Sequence, residues 1–364
     1  MVHWIKGFWI WGFLLLFSSE NRGDIRYFQP STIPIADSVD LQVHLIDASL
    51  DEGEIFMAST CDGKPLYYFM ELHTGVCFDN KCRPLFIMVY WNITGRYLGF
   101  ELLDGEFLSK YEHEPFSPTE YEQLHGLLAD PFLPLGNYSF EELVAIPDVG
   151  DPSVDGVSGA TSKDVLDYVV PGAAYTTHKL WKVVHGPIQQ QLIRLTEQRL
   201  DTGLFSEIFH SPDQSDQIWA LERVSRLPEL DHALLESMVQ LLKDDEYFQA
   251  YLLLKSLSSD QLSMEGLQVR FFQLLGQVAP GTADLIIDRF ADAPRLTPVV
   301  VDQLSSVVGQ LSGGQLVKLL KLLSHHDVRD AGLNAALGRL IPHDNSFVQH
   351  QVVHFLDKQA SISE

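Results

Sequence analysis

The chain of 364 residues has few cysteines, few basic side chains and no apolar run long enough to cross a bilayer. Three cysteines are too few for the dense disulfide framework of small secreted domains. Only 25 Lys and Arg oppose 49 Asp and Glu, and the resulting net charge of -24 repels phosphate backbones and anionic membrane surfaces. We therefore expect no nucleic-acid partner.

An apolar run at residues 7–17 follows Lys6 and precedes Ser18 and Ser19. Its length and its flanking residues are typical of the apolar core of a secretory signal. We predict a signal peptide at residues 1–19 and an extracytoplasmic protein, in the periplasm or cell envelope. A buried first helix and an uncleaved anchor are the alternatives.

The remaining chain has two parts with different predicted secondary structure. Residues 36–108 contain short runs rich in β-branched and aromatic side chains, separated by turn residues, which predicts a sheet. Helical patterns follow in residues 118–145, and the Gly-, Pro- and Ser-rich residues 147–162 predict a loop. An α+β domain over residues 20–186 is the result.

After Gly186-Pro187 the sequence is almost continuous amphipathic helix, which predicts an all-α domain over residues 187–364. Residues 247–257 resemble residues 346–358 in the placing of aromatic, Gln and aliphatic side chains. Helical pairs of roughly 40 residues, stacked as a HEAT-like helical repeat, would produce this similarity. An irregular helical bundle is the alternative.

The loop contains the sequence DGVSGAT at residues 155–161. This D-x-x-S-G-A-T pattern resembles the attachment signature of FMN-binding domains that carry flavin covalently, such as those of sodium-pumping NADH:quinone oxidoreductases and Rnf-type complexes. The resemblance covers residues 84–185. It implies that a flavin transferase esterifies the phosphate of FMN onto Thr161.

The other motif residues suit a bound phosphate. Gly159 allows close approach of the backbone, Ala160 leaves space, and Ser158 can donate to a phosphate oxygen. Asp155 would help to present the loop to the transferase. A hydrolase nucleophile elbow at Ser158 would need a strand directly before it, where the sequence instead has a loop.

Tyr175 and Thr176 follow the motif, after the small residues Gly172, Ala173 and Ala174. We predict that the small residues pack under the isoalloxazine ring and that Tyr175, Thr176 and Thr177 hydrogen-bond to it or stack on it. The alternative is that Tyr175 and Trp181 are core residues of a strand or helix.

Cys77 and Cys82 bracket a turn-like stretch, which predicts a small disulfide in an exported chain and leaves Cys61 unpaired. A zinc site that includes His73 and free thiols are the alternatives. The pair His350 and His354 lacks a third metal ligand, so we expect no metal there.

These features predict an exported flavoprotein that relays electrons to or from a redox partner, and we expect a carrier rather than an independent enzyme. The alternative belongs to another class. It is an extracytoplasmic scaffold or interaction protein in which the helical repeat binds partners and the flavin module is vestigial.

Overall fold

The computed structural model describes residues 25–32, 41–46, 54–75, 84–110, 113–139, 141–143, 165–244, 246–342 and 344–361. The chain divides into two compact units, Met1–Arg199 and Leu200–Glu364. The first contains a sheet with helices and the second contains helices, which confirms the predicted order of an α+β region and an α-helical region.

No helix among the described residues is both long and apolar enough to cross a membrane.

The first unit is built on an antiparallel sheet of six strands in the order β1-β6-β5-β4-β3-β2. The strands are β1 (Arg26–Phe28), β2 (Gln42–Ile46), β3 (Ile55–Ser59), β4 (Pro65–Thr74), β5 (Leu85–Asn92) and β6 (Tyr97–Glu101). β5 is buried along almost its whole length, on both of its faces. This explains why its sequence is a continuous apolar run rather than an alternating one.

The described part of the first unit also contains three α-helices: α1 (Pro118–Ala129), α2 (Ala174–His185) and α3 (Pro187–Glu197). Helix α1 begins with a capping box between Ser117 and Glu120, and it packs against β6 and α2. The indole nitrogen of Trp91 donates to the carbonyl of Val184 at 3.0 Å, which joins β5 to α2 in the core.

Helix α3 lies after the domain boundary that the sequence predicts at residue 186, but it packs in the first unit. Its apolar residues Ile188 and Leu192 are buried in the core of the first unit. The hydroxyl of Thr196 lies 2.9 Å from that of Tyr68 and also donates to the carbonyl of Ile93. These contacts explain why the first unit extends to Arg199.

The described part of the second unit is helical, and most of its helices recur in pairs. They are α4 (Thr202–Phe209), α5 (Gln214–Leu221), α6 (His232–Lys243), α7 (Tyr247–Ser256), α8 (Ser259–Leu262), α9 (Glu265–Gln273), α10 (Pro280–Arg289), α11 (Pro298–Val307), α12 (Gly313–His325), α13 (Ala331–Gly338) and α14 (Ser346–Ser361).

The starts of these helices recur with a constant spacing. Helices α5, α7, α10, α12 and α14 begin at residues 214, 247, 280, 313 and 346, which is every 33 residues. Helices α6, α9, α11 and α13 begin at 232, 265, 298 and 331, with the same spacing of 33. The spacing is shorter than the predicted pair of roughly 40 residues, because most of the helices have only two or three turns.

The same spacing governs packing. Within each of the two series, each helix packs against the next one. The position seven residues after the capping residue is fully buried in every member of the first series: Ala220, Leu253, Ile286, Leu319 and Val352. In the second series the corresponding core position holds Met238, Phe271, Leu304 and Leu337, all fully buried. One apolar position per helix thus forms a continuous row through the unit.

Backbone carbonyls at the ends of the first-series helices show the same repeat. Gln261 donates to the carbonyl of Val224 at 2.9 Å. One period later Arg289 donates to the carbonyl of Leu257, and after another period His326 bonds to that of Phe290. In each case a side chain of one pair satisfies a carbonyl of the preceding pair.

Candidate functional site

The flavin-attachment motif lies outside the described residues. This applies to all five of its predicted site residues: Asp155, Ser158, Gly159, Ala160 and Thr161. The motif lies between Leu143 and Val165, the nearest described residues on its two sides. Both are fully buried in the core of the first unit. The two ends are therefore held by the fold.

The segment after the motif is fastened to the start of α2. Val169 and Val170 are fully buried, and Gly172 makes a turn with φ of 74°. The backbone nitrogen of Val170 donates to the Thr177 hydroxyl at 3.1 Å, and that hydroxyl donates to the carbonyl of Ala173 at 3.0 Å. Thr177 therefore fixes the path by which the chain enters the helix.

The segment before the motif is fastened to the same helix. The indole nitrogen of Trp181 donates to the carbonyl of Asp130 at 3.0 Å, and His185 Nε2 lies 2.9 Å from the carbonyl of Leu128. A Cβ at Gly136 would lie 3.2 Å from the Trp181 ring, so glycine allows this part of the chain to lie flat against the indole.

Two further side chains of α2 meet at one carbonyl. His178 Nε2 lies 3.0 Å from the carbonyl of Tyr138, and Lys182 Nζ donates to the same oxygen at 3.1 Å. We call His178, Trp181, Lys182 and His185 the α2 donor face. Sequence reasoning missed these four residues as a group, although their spacing of three and four places them on one side of a helix.

Burial lowers the pKa of His178 and of His185. The His185 Nε2 that faces the carbonyl of Leu128 must carry the proton, so the neutral form of His185 has an unprotonated Nδ1. In His185 that Nδ1 is buried and has no hydrogen-bond partner among the described residues. Protonation would therefore create a buried charge and a donor without an acceptor.

We expect the α2 donor face to make the first unit sensitive to acid. Because the folded-state pKa values lie below the unfolded value of about 6.5, the unfolded chain takes up protons first as the pH falls through that value. The free energy of unfolding should therefore decrease as the pH is lowered from about 6.5 to the folded-state pKa values of the two histidines. Urea midpoints of the full chain at about pH 7.5 and about pH 5.5 measure this effect.

The variant His178→Gln/His185→Gln should show a smaller loss of stability with acid than the unmodified chain. The matched control is His73→Gln, which changes an exposed histidine of the same unit. If the double variant keeps the full acid dependence, these two residues do not cause it.

The residues predicted to bond to the flavin or stack on it, Tyr175, Thr176 and Thr177, lie in the first turn of α2. Thr176 is 5% exposed, and Tyr175 is half-buried and packs against the hydrophobic core. Ala173 and Ala174 are also buried in the core. The two alanines thus belong to the protein interior. In the turn that leads into α2, only Pro171 and Gly172 are exposed.

A lysine that sequence reasoning did not select lies beside this turn. A Cβ at Gly172 would lie 3.5 Å from the Cβ of Lys110. The ammonium of Lys110 lies 2.9 Å from carboxylate oxygens of both Glu114 and Glu120. The hydrogen bond to Glu114, and after it the one to Glu120, raises the pKa of Lys110. Lys110 is thus a permanent cation held next to the segment that follows the motif.

The predicted disulfide between Cys77 and Cys82 also falls outside the described residues. Cys61 is an exposed free thiol. Within the described parts of the chain, no three His, Cys, Asp or Glu side chains come together in a group that could hold a metal ion. His350 and His354 are exposed on α14, with ring centroids 6.4 Å apart.

Comparisons of this chain with protein-family models, with curated proteins and with solved structures gave no match. The structure defines the chain as an α+β unit followed by a unit of regularly spaced helical pairs.

Proposed function

We propose that the protein is an exported flavoprotein in which FMN is joined by a phosphoester to Thr161 and relays electrons to or from a partner protein. The observation that carries the proposal is the DxxSGAT motif at residues 155–161. Five specified residue types at fixed spacing occur by chance in a chain of this length less than about once in a thousand sequences.

The surroundings of the motif support the proposal. The segments on both sides of it are hydrogen-bonded to α2, through Thr177 on one side and the α2 donor face on the other. Holding both ends of a segment lowers the conformational entropy that binding and modification must overcome. Such an arrangement suits a segment that a flavin transferase must recognise.

Bound FMN would supply one- and two-electron chemistry, and the chain would hold it and present it to a partner. A phosphoester suits an extracytoplasmic carrier, because a dissociating flavin would be lost from the cell. The same proposal includes a signal peptide at residues 1–19 and a disulfide between Cys77 and Cys82, since both follow from export.

We also propose that the second unit is a helical repeat of the HEAT-like kind and that it binds the redox partner. The regular 33-residue spacing and the continuous rows of buried residues support a repeat. Stacked helical pairs offer an extended surface that suits protein partners.

The scaffold alternative remains because of one observation. Large apolar side chains on the second unit are exposed, among them Tyr247, Phe248 and Phe347. Exposed aromatic residues favour protein binding whether or not the first unit carries flavin.

Visible absorption of the purified protein separates the two functions. After co-expression with a flavin transferase in an exporting host, we expect a yellow protein whose intact mass has increased by one FMN less one water. Dithionite should bleach the colour and air should restore it. A colourless protein of unmodified mass would contradict the flavoprotein proposal and favour the scaffold.

A further inference from the structure

Three exposed aromatic side chains lie together at the start of α7. Tyr247 and Phe248 are each 55% exposed and Tyr251 is 39% exposed. Their spacing places Tyr251 one turn after the other two, on the same side of the helix. Large aromatic side chains seldom remain this exposed in a group unless the surface has a binding role.

Helix α10 packs beside α7 and brings carboxylates to this group. The Tyr247 ring lies against Gly281 of α10, where a Cβ would be 3.3 Å from the ring. Asp284 and Asp288 follow Gly281 along the same side of α10, three and seven residues later, and both are partly exposed. An aromatic ridge on α7 therefore runs beside an acidic ridge on α10.

The repeat places the members of the two ridges side by side. Tyr251 and Asp284 are separated by 33 residues in sequence, the same spacing as the starts of α7 and α10. They therefore occupy the same position on neighbouring helices, whose axes are about 8–10 Å apart in typical packing. This separation is suitable for a side chain that lies on the ring and reaches the carboxylate.

The charges around the patch are unequal. Lys318 Nζ lies 3.1 Å from an oxygen of Asp284 and 2.7 Å from one of Asp288. One ammonium group therefore forms ion pairs with two carboxylates. Glu246, directly before α7, adds another exposed carboxylate. Lys255 is the cation on the aromatic side, and its Nζ lies 5.4 Å from the centroid of the Tyr251 ring. This ring therefore already accepts a cation.

We propose that the aromatic–acidic patch, formed by Tyr247, Phe248, Tyr251, Asp284 and Asp288, binds an arginine-bearing extended segment of a partner protein. A guanidinium group stacks on an aromatic ring more readily than an ammonium does, and its planar donors match a carboxylate. Arginine would therefore use both ridges at once. The proposal does not depend on the flavin, because every residue that carries it lies in the second unit.

The test uses the full chain and a fluorescein-labelled peptide of alternating glycine and arginine, followed by fluorescence anisotropy. The control peptide has citrulline in place of arginine, which keeps the shape and removes the charge. We expect saturable binding of the arginine peptide that is at least tenfold tighter than that of the citrulline peptide. Equal binding of the two peptides would overturn the proposal.

Two sets of variants locate the site. Tyr247→Leu/Tyr251→Leu keeps apolar surface but removes the ring faces, and it should weaken binding by about tenfold. Asp284→Asn/Asp288→Asn should also weaken binding and reduce its dependence on salt. The matched control is Phe132→Ala, which removes a 91% exposed aromatic residue of the first unit and should change nothing.

Binding that survives both double variants would show that the peptide responds only to the net charge of the protein, and the proposal would be wrong. The same conclusion follows if Phe132→Ala weakens binding as much as the tyrosine variant does. Circular dichroism of each variant should show an unchanged helical spectrum, because all the substituted side chains are partly or largely solvent-exposed.

Discussion

Thr161→Ala should yield a protein without covalent flavin, and we expect the loss to be complete. A phosphoester needs a hydroxyl oxygen on the acceptor side chain, and alanine has none. The phosphoester between FMN and threonine survives denaturation, whereas non-covalently bound FMN dissociates when the protein unfolds. In-gel fluorescence of the denatured protein therefore measures attachment directly, after co-expression with a flavin transferase.

Ser162→Ala is the matched control, because it removes the adjacent hydroxyl in the same segment. It should keep the fluorescence. Thr161→Ser keeps a hydroxyl at the acceptor position and should restore some labelling. Fluorescence that persists in Thr161→Ala and disappears in Ser162→Ala would assign the acceptor to the neighbouring residue.

Removing residues 279–311, which is one full period of 33 residues, should leave a folded second unit with one pair fewer. Leu319 would then pack against Leu253 in the row that Ile286 now occupies. His326 would meet the carbonyl of Leu257 instead of that of Phe290. The deletion starts after Val278 and ends before Ser312, so the capping box of α12 is retained.

The shortened chain should be less stable. Gln268 is buried and would keep its bond to the carbonyl of Leu262, but it would lose those to Arg295 and Thr297, at 2.8 Å each, because both partners would be deleted. An unsatisfied buried amide costs about 1–3 kcal/mol. We expect a cooperative thermal transition at a lower temperature, with a far-ultraviolet circular dichroism spectrum that remains strongly helical.

Removing only residues 279–296 is the matched control. This smaller deletion takes away α10 and leaves α11 in the next place along the chain, so the two series of helices no longer alternate. The buried rows of the remaining helices would be exposed to water. We expect aggregation or loss of the cooperative transition. If both deletions behave alike, the 33-residue spacing does not act as a structural unit.

Local patterns in the sequence predicted much of the fold. The aromatic and β-branched runs before residue 108 form the sheet, and Ser117 and Ser312, two residues favoured at helix starts, cap α1 and α12 through capping boxes. The similarity of residues 247–257 to residues 346–358 also has a structural basis. α7 and α14 start 99 residues apart, which equals three periods of 33.

The sequence did not predict the length of the repeat or the extent of the first unit. Few residue identities recur at equivalent positions: the row with Ala220 also holds Leu253 and Val352, which share burial and apolar character but not size. Helix α3 is amphipathic and reads like the helices that follow it, but Ile188 and Leu192 pack in the core of the sheet unit. Periodicity identifies an apolar face without identifying its partner.

Neighbouring residues alone were enough to predict the main strand and helix regions and to identify the seven residues of the candidate attachment motif. The tertiary structure decided which carbonyls the α2 donor face satisfies and which ridge lies beside Tyr247 and Tyr251. Those contacts join residues 34–57 positions apart, such as His185 with Leu128 and Tyr247 with Gly281. They exist only after the chain has packed, since helix packing brings distant positions within hydrogen-bonding or van der Waals distance.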